Sequence, residues 1–317
     1  MRNFTSVKDV ADVNALVEEA IAIKRYPNAN HDLGRNKTLG LIFMNPSLRT
    51  RLSTQKAAMN LGMNVMVMNM DKEGWALEFG DGAVMNGTTV EHIKDAAATM
   101  GQYCDVLGIR CFPLLKDRAE DYSETMLNKF IKYSNVPVVS LESATLHPLQ
   151  SFTDLITIRE NWQEARKPKV VLTWAPHVKA LPQAVSNSFS EWMCRADVDF
   201  TITHPEGLEL DEQFTQGAKI EHDQHVALEG ADFIYVKNWS SFKEYGKVVT
   251  GHDDWLLNNE KIAHTNAAKI MHCLPVRRNV ELTDELLDSP QSLVLKEAGN
   301  RLYAAQAVLK NILMGLQ

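Results

Sequence analysis

The chain has 317 residues, of which 45% are hydrophobic and 23% charged, and its formal net charge is -7. This composition is not that of a disordered chain, and it gives no sign of a nucleic-acid-binding surface or a basic membrane-binding face. A chain of this length exceeds what one hydrophobic core usually covers, so we expect two α/β domains of about 150 residues each.

The first twenty residues, MRNFTSVKDVADVNALVEEA, mix acidic with apolar side chains and lack the hydrophobic stretch of a signal peptide. No run reaches the roughly 18 apolar residues that a membrane span needs. The cysteines at 104, 111, 194 and 273 are too few and too irregularly spaced for a disulfide framework or a zinc motif. We therefore expect a cytoplasmic protein without a membrane segment, a metal site or another cofactor.

Short apolar runs alternate with helical stretches along the whole chain. The runs predict strands at 38–44, 64–70, 105–111, 136–142, 169–175, 197–204, 231–237, 269–275 and 292–296. The stretches between them predict helices at 7–25, 48–61, 89–103, 120–133, 148–164, 181–195, 211–217 and 297–316. Because the strands read as continuous rather than alternating apolar runs, this βα order predicts parallel sheets covered by helices on both faces.

A break in the βα order near HPLQSF predicts a domain boundary close to residue 150. We expect a first domain over 1–149 and a second over 150–296, with a last helix at 297–317 that packs back on the first domain. In open parallel sheets, ligands bind at the carboxyl ends of the strands. The residues that follow each strand are therefore the candidates for a functional site.

The first strand ends in an Asn-Pro-Ser turn, and a helix is predicted to start within the next few residues. The N-terminus of a helix offers free backbone N–H groups and the positive end of a dipole, so Ser47 to Thr50 could bind an anion. Arg49 and Arg51 add positive charge at this turn. In the alternative interpretation, Ser47 only caps the helix and the arginines are solvated.

Further polar residues follow three other strands. Arg110 ends the strand at 105–111, and Glu142, His147 and Gln150 follow the strand at 136–142, where Pro148 suits the first turn of a helix. The stretch HCLPVRRN, residues 272 to 279, follows the strand at 269–275. Each has an ordinary alternative: Arg110 could pair with an acid, His147 could be a cap or surface residue, and Cys273 could be a buried cysteine. Taken together, they suit a phosphorylated ligand that carries a carbonyl group.

The motifs SLRTR, HPLQ and HCLPVRRN, in this order and at these separations, resemble those of the carbamoyltransferase family. Its members move a carbamoyl group from carbamoyl phosphate to an amine. HCLP is similar to the ornithine side of the family. However, FIYVKNW stands where ordinary ornithine carbamoyltransferases have an Asp and a Ser-Met-Gly segment for a free α-amino acid. EGWALEF, MNGTTVEHI, WAPHVKALPQAV and YVKNW resemble the branch that carbamoylates N-acetylornithine or N-succinylornithine in arginine biosynthesis.

The resemblance implies a role for each motif in an enzyme. Ser47, Leu48, Arg49 and Thr50 would bind the phosphate of carbamoyl phosphate, while Arg110, His147 and Gln150 would hold the carbamoyl carbonyl and stabilise the oxyanion. Cys273 and Leu274 would lie beside the reacting amine, with Leu274-Pro275 in the cis form. Either His147 or the departing phosphate could take the proton of the amine.

The resemblance also implies how the acceptor is bound. Glu142 would accept the amide N–H of the acylated amine, and His177, Lys237 and Arg277 would bind carboxylates, although each could instead form an ordinary ion pair. Val90 stands where acetyl-specific relatives tend to have Glu and succinyl-specific ones Pro. Glu281 stands where the acetyl enzymes have a lysine, so the acetyl pattern fails here as well. The negative charge of Glu281, however, would repel a succinyl tail. We favour N-succinyl-L-ornithine over N-acetylornithine, with Arg278 as the cation for the tail.

Two further features follow from the resemblance. In this branch the tryptophan that corresponds to Trp75 reaches into the site of a neighbouring subunit, so the resemblance implies a homotrimer with shared active sites. An isolated tryptophan after a strand would otherwise be core packing. WAPHVKALPQAV implies a deep knot near 176–182, which is rare among folds. A different class of function, a non-catalytic anion-binding protein, would keep the phosphate site without the reaction.

Overall fold

A computed structural model describes residues 1–70 and 72–316. Its strands are β1 (Thr38–Phe43), β2 (Asn64–Asn69), β3 (Leu77–Glu78), β4 (Glu91–His92), β5 (Val106–Arg110), β6 (Val138–Glu142), β7 (Lys169–Trp174), β8 (Asp199–Thr203), β9 (Lys219–Glu221), β10 (Phe233–Lys237) and β11 (Lys269–Met271). Its α-helices are α1 (Val13–Arg25), α2 (Arg49–Asn60), α3 (Ile93–Tyr103), α4 (Arg118–Tyr122), α5 (Thr125–Tyr133), α6 (Pro148–Glu160), α7 (Ala184–Met193), α8 (Glu212–Thr215), α9 (Gln224–Leu228), α10 (Asn259–Ile262), α11 (Asp284–Leu287) and α12 (Val294–Met314).

The chain divides into two compact units. The first comprises Met1–Leu114, Ala119–Leu149 and Arg301–Gln317, and the second comprises Leu115–Arg118 and Gln150–Asn300. The expected domains differ from this division at a few short segments, and their assignment to separate substrates stays a prediction. Within the described residues, every helix is too short or too polar to cross a membrane.

The first unit contains a parallel sheet in the order β2-β1-β5-β6, and β3 pairs separately with β4, also in parallel. Every residue of β5 and β6 is buried, because the sheet is covered on both faces there. Ile109 contributes to a core with Ile93 and Phe130, from α3 and α5. Gly62 follows α2 with a φ of +77°, and a Cβ atom there would lie 2.0 Å from the His31 carbonyl oxygen. This glycine therefore allows the chain to turn directly into β2.

The second unit contains a parallel sheet in the order β11-β10-β7-β8-β9. Its core includes Val171 of β7, Ile234 of β10 and Ile270 of β11. On the helices, Phe152 of α6 stacks on Trp192 of α7 with ring centroids 5.4 Å apart. The two parallel-sheet α/β folds that the βα order predicts are thus confirmed, while the knotted path near 176–182 stays a prediction.

Three predictions about individual elements are wrong in instructive ways. The strand at 292–296 is absent: one bridge joins Ser292 to Ile270, and α12 begins at Val294. A short apolar run cannot be distinguished from the buried start of a helix by its pattern alone. β2 is not covered on both faces, because it lies at the sheet edge and exposes alternate residues, among them Met66 and Met68. The helix predicted at 120–133 is two helices, separated at Glu124 where φ is +50°.

Candidate functional site

The ends of three neighbouring strands of the first unit bring polar residues to one edge of its sheet. Phe43, the last residue of β1, is level with Arg110 of β5, and Arg110 is level with Glu142 of β6. The turn before α2 follows β1, and His147 follows β6, directly before α6. In the first unit, parallel pairing therefore places the SLRTR turn, Arg110, Glu142 and the histidine of HPLQ at the same edge, as the sequence predicts.

Arg110 and Glu142 form a buried ion pair. Arg110 Nη1 donates a hydrogen bond of 2.6 Å to Glu142 Oε2, and His147 Nε2 lies 3.4 Å from the same oxygen. The guanidinium also lies over the Phe112 ring, 4.4 Å from its centroid. The ordinary alternative for Arg110, pairing with an acid, is therefore present. The ion pair with Glu142 does not use the whole guanidinium, because Arg110 Nε is buried without a hydrogen-bond partner among the described residues.

His147 is buried beside two cations. Burial, together with the charges of Arg301 and Arg110, holds the pKa of His147 well below its ordinary value of 6.5. Its Nδ1 atom is buried without a hydrogen-bond partner in the part of the chain that the structure describes. His147 is thus neither a cap nor a surface residue. As a neutral imidazole it can offer one N–H donor and one lone pair to a ligand.

The pKa of His147 gives a prediction for stability. Below pH 6.5 the unfolded chain binds a proton at this histidine before the folded protein does, so stability that is complete above pH 6.5 is lost as pH falls. We expect the wild type to lose more free energy of unfolding than His147→Asn between about pH 7.5 and about pH 5.5. Urea unfolding at the two pH values measures this difference. Equal losses in the two proteins would contradict the assigned protonation state.

The start of α2 carries no side-chain cap. Leu48 occupies the N-cap position and makes no side-chain capping bond, so the interpretation of Ser47 as the cap is wrong. The backbone N–H groups of the first turn have no acceptor within the helix. Thr50 is buried in this turn, and Arg51 Nη1 lies 3.4 Å from Asn69 Oδ1. The turn therefore retains the geometry of an anion site, with Arg49 at the first position of the helix.

Arg301, on α12, is a candidate that the sequence interpretation missed. It is buried within the first unit, and its Nη2 atom donates a hydrogen bond of 2.5 Å to Thr50 Oγ1. The positive charge of Arg301 also lowers the pKa of His147. One signal was available in the sequence: Arg301 lies on the same helix face as Ala304, Ala305 and Val308, all of which are buried. An arginine on an apolar face indicates a specific partner.

In the second unit, a cationic group lies at the ends of β7 and β10. Lys237, the last residue of β10, is level with Trp174 of β7, and its side chain is buried. His177 follows β7, and Arg277 Nε donates a hydrogen bond of 3.2 Å to His177 Nε2. Burial, outweighing a backbone hydrogen bond and the charge of Glu281, lowers the pKa of His177, so its neutral ring accepts this bond. The structure thus brings together the three residues predicted to bind carboxylates.

Glu281 is turned into the protein. Its Oε2 atom accepts a hydrogen bond of 2.7 Å from Arg277 N, and its Oε1 atom lies 3.3 Å from His272 Nε2. Burial alone would raise its pKa, but the hydrogen bond and charge of His272 and the charge of Lys237 outweigh burial and hold the pKa at about 2. The expectation that Glu281 repels a charged acyl tail is therefore wrong, because this carboxylate is buried and already paired.

Arg278 is not the spare cation that the sequence suggests. Its two terminal nitrogens each donate a hydrogen bond of 2.8 Å to Asp288, and Nη1 donates another of 2.8 Å to Asp284. Two carboxylates therefore already neutralise the guanidinium. We withdraw its assignment to the tail of the acceptor.

The HCLP segment has the predicted backbone. The Leu274-Pro275 peptide bond is cis, which confirms the prediction, and the φ of Leu274 is +54°. Leu274 N donates a hydrogen bond of 2.8 Å to His272 Nδ1. Cys273 is half-buried and is not in a disulfide.

Gln150 differs from its predicted role as a donor to a carbonyl oxygen. It is completely buried in the first turn of α6. Its Nε2 atom donates one hydrogen bond of 2.7 Å to Asp154 Oδ1 and another of 2.9 Å to Glu297 Oε1. A side-chain amide has two N–H donors and one acceptor oxygen. Both N–H donors of Gln150 therefore point to buried carboxylates.

Trp75 precedes β3 and Val90 directly precedes β4, and both are exposed. Trp75 is 55% exposed, and its Nε1 atom donates a hydrogen bond of 2.7 Å to Glu91 Oε2. Core packing is therefore not the role of Trp75. Val90 is 64% exposed, which places its side chain in a medium of high dielectric constant. Among the residues that the structure describes, no group of three His, Cys, Asp or Glu side chains could hold a metal.

Two family models match the chain. The model described as the aspartate/ornithine carbamoyltransferase carbamoyl-P binding domain matches residues 2–160, and that described as the Asp/Orn binding domain matches residues 182–312. The N-succinylornithine carbamoyltransferase of Bacteroides thetaiotaomicron is 53% identical over 319 residues, which cover 100% of both chains. The N-acetylornithine carbamoyltransferase of Xanthomonas axonopodis pv. citri is 34% identical, over 98% of this chain and 96% of that one.

A solved structure adds a ligand to this comparison. It is a variant of N-acetyl-L-ornithine transcarbamylase in which one glutamate is replaced by valine, complexed with carbamyl phosphate and N-succinyl-L-norvaline. It is 33% identical to this chain with a TM-score of 0.91, and the match covers 98% of this chain and 100% of that one.

Proposed function

Because the chain belongs to the aspartate/ornithine carbamoyltransferase family, we propose that it carbamoylates the δ-amine of N-succinyl-L-ornithine. The products are N-succinyl-L-citrulline and phosphate, and the reaction serves arginine biosynthesis. The chain is thus an enzyme, a carbamoyltransferase. One observation carries the choice of acceptor: identity over the full length is 53% to an N-succinylornithine carbamoyltransferase but 34% to an N-acetylornithine carbamoyltransferase.

The first unit is assigned to carbamoyl phosphate. The backbone N–H groups of Ser47 to Thr50 and the guanidinium of Arg49 bind the phosphate at the start of α2, where the dipole of the helix favours an anion. We add Arg301, because it holds the Thr50 hydroxyl and supplies a buried positive charge beside this turn. Arg110 and neutral His147 donate hydrogen bonds to the carbamoyl oxygen as negative charge develops on it.

The second unit is assigned to the N-acylated ornithine. Lys237, His177 and Arg277 bind its carboxylates, and Cys273 and Leu274 lie beside the δ-amine. Glu142 is assigned to the amide N–H of the acyl group. This assignment requires Glu142 to accept two hydrogen bonds, because it already accepts one from Arg110. A carboxylate has further lone pairs, so it can accept both.

The chemical step needs no covalent enzyme intermediate. The lone pair of the δ-amine attacks the carbamoyl carbon, and the bond from that carbon to the phosphate oxygen breaks with its electrons leaving on phosphate. The amine must then lose one proton. His147 is a weak base, since its pKa lies well below 6.5. The departing phosphate is the better proton acceptor, because its pKa is closer to neutral pH.

Product formation from three acceptors tests the proposal. We expect citrulline-type product from carbamoyl phosphate with N-succinyl-L-ornithine, less with N-acetylornithine and little with free ornithine. Lys237 stands where an acid for a free α-ammonium group would be needed, so a cation disfavours that acceptor. Strong turnover of free ornithine alone would reject the proposal. A higher turnover of N-acetylornithine would support carbamoyl transfer but identify the acetyl rather than the succinyl compound as the acceptor.

Val90 is proposed to select the acyl group, because a glutamate there would repel the carboxylate of a succinyl tail. We expect Val90→Glu to shift the kcat/KM ratio toward N-acetylornithine by about 5-fold, since two like charges 4 Å apart in water repel each other by about 1 kcal/mol. Steady-state kinetics with both acceptors measure this ratio. Val226→Glu adds the same charge at an exposed position of α9 and should leave the ratio unchanged. No change in Val90→Glu would place the discriminating residue elsewhere.

We also infer a cytoplasmic homotrimer in which Trp75 completes the site of a neighbouring subunit. The first unit exposes large apolar side chains on the edge strand β2, namely Met66 and Met68, and at the start of α2, namely Leu48 and Leu52. Such surfaces mark protein interfaces. Sedimentation equilibrium tests this inference: a mass of three chains is expected, and a monomer at active concentrations would reject it.

A further inference from the structure

The carboxylate of Glu124 holds the turn that connects β6 to α6. Its Oε1 atom accepts hydrogen bonds of 2.6 Å from Ser143 Oγ, 2.7 Å from Thr145 N and 2.6 Å from Thr145 Oγ1. Its Oε2 atom accepts a fourth bond, of 3.3 Å, from Ala144 N. All of these residues belong to the first unit. One side chain therefore binds two backbone N–H groups and two hydroxyls, and hydrogen bonds to a charged acceptor are the strong ones.

The turn at 143–146 separates Glu142 from His147. Ser143 N donates a hydrogen bond of 2.8 Å to Leu146 O, which closes the turn. His147 Nε2 and Glu142 Oε2, which are 3.4 Å apart, belong to the residues on its two sides. Because the turn is the covalent connection between these two residues, its shape sets the distance between their side chains.

Glu124 has a backbone conformation that glutamate rarely adopts. Its φ is +50° and its ψ is +30°, in the left-handed region that glycine enters without steric cost. Asn135, which follows α5, has a φ of +59°, but asparagine is much commoner in this region. A strained residue persists where its surroundings over-determine its conformation, and such residues cluster at functional sites. The four hydrogen bonds of the carboxylate account for a glutamate where glycine would remove the strain.

We propose that Glu124 is a positioning residue whose carboxylate fixes the turn at 143–146 and thereby holds Glu142 and His147 in the arrangement that serves carbamoyl transfer. The inference rests on the proposed function. A displacement of about 1 Å in the groups that orient a substrate can lower the rate by about 100-fold, even when the mutation lies far from the chemistry. The chemical step should therefore depend on a residue that acts only through this turn.

Two substitutions at Glu124 separate its carboxylate from its backbone. Glu124→Gly removes every acceptor and at the same time relieves the backbone strain. Glu124→Gln keeps one oxygen, which can accept the three short bonds from Ser143 and Thr145, so that only Ala144 N faces a donor. Asn135→Gly is the matched control, because it also places a glycine at a left-handed position next to α5, and Asn135 is exposed.

Steady-state kinetics and hydrogen exchange test the proposal with these variants. We expect kcat to fall by about 100-fold in Glu124→Gly and by at most about 5-fold in Glu124→Gln. Asn135→Gly should match the wild type. Mass spectrometry should show that the amides of residues 144–146 exchange about 10- to 100-fold faster in Glu124→Gly, because Thr145 N–H loses a charged acceptor.

The ring of His147 gives a readout that a loss of overall stability alone would not change. Its pKa lies well below 6.5 in the folded protein, mainly because the ring is buried. If the turn loosens, water reaches the ring, and we expect the pKa of His147 to rise toward 6.5 in Glu124→Gly. NMR titration measures this change, with the signal assigned by its absence in His147→Asn. An unchanged pKa in Glu124→Gly would contradict the inference.

Three further outcomes would overturn the inference: wild-type kcat in folded Glu124→Gly, a fall in kcat without faster exchange at 144–146, or an equal fall in Asn135→Gly. If Glu124→Gly does not fold, Ser143→Ala removes one of the four bonds from the turn itself. Slower turnover with faster exchange at 144–146 in that variant would support the inference, and wild-type values would reject it.

The exchange and titration measurements need no substrate. A wild type that fails with every N-acylornithine would therefore reject the proposed function, while the effect of Glu124 on the turn and on His147 would still be measured.

Discussion

Arg110→Leu is expected to reduce kcat/KM by about 10²- to 10³-fold, because it removes the donor that we propose for the developing oxyanion. It should also lower the free energy of unfolding by about 3–5 kcal/mol, since Glu142 would remain buried without its guanidinium partner. Steady-state kinetics and urea unfolding measure the two effects separately.

The double variant Arg110→Leu/Glu142→Leu is the control for this prediction. Removing both charges of a buried pair is far less destabilising than removing one of them. We therefore expect the double variant to regain most of the lost stability while activity stays low. If activity returned together with stability, Arg110 would act only by neutralising Glu142.

Lys237→Met is expected to raise the KM for the N-acylornithine by about 30- to 1,000-fold, which corresponds to losing roughly 2–4 kcal/mol from a buried charge pair with a carboxylate. The dissociation constant of carbamoyl phosphate should not change, because the residues proposed to bind its phosphate, Ser47 to Thr50, lie in the first unit. Kinetics with varied acceptor, together with calorimetry for carbamoyl phosphate, measure this separation.

Lys243→Met is the matched control for Lys237→Met. Lys243 follows β10 in the same segment of chain, but its side chain is 73% exposed and lies 3.8 Å from Glu209. An exposed ion pair of this kind contributes little. We expect wild-type KM values in Lys243→Met. An acceptor KM that is equally unchanged in Lys237→Met would remove Lys237 from the acceptor site.

The sequence predicts well those features that depend on chain order. Continuous apolar runs locate the buried strands β1, β5, β6, β7 and β10, and parallel pairing then brings their carboxyl ends to one edge of each sheet. The sequence alone therefore groups Arg110, Glu142 and His147 at one site. The ordered motifs correctly identify the family and the cis bond before Pro275.

What the sequence misses depends on contacts between distant residues. The partners of Arg278 follow it by 6 and 10 residues, on and after α11, and nothing in HCLPVRRN indicates that they neutralise it. Glu297 is 147 residues from Gln150, so the orientation of the amide could not be read from HPLQ. Arg301 reaches Thr50 across 251 residues. The start of α12 was missed because a short buried run has no distinctive period.

A crystal structure with carbamoyl phosphate tests the central claim most directly. We predict that the phosphate oxygens accept hydrogen bonds from the backbone N–H groups at the start of α2 and from Arg49, with the carbamoyl oxygen at Arg110 and His147. Carbamoyl phosphate bound away from Arg49 and Thr50, in a protein that still turns over, would contradict the account.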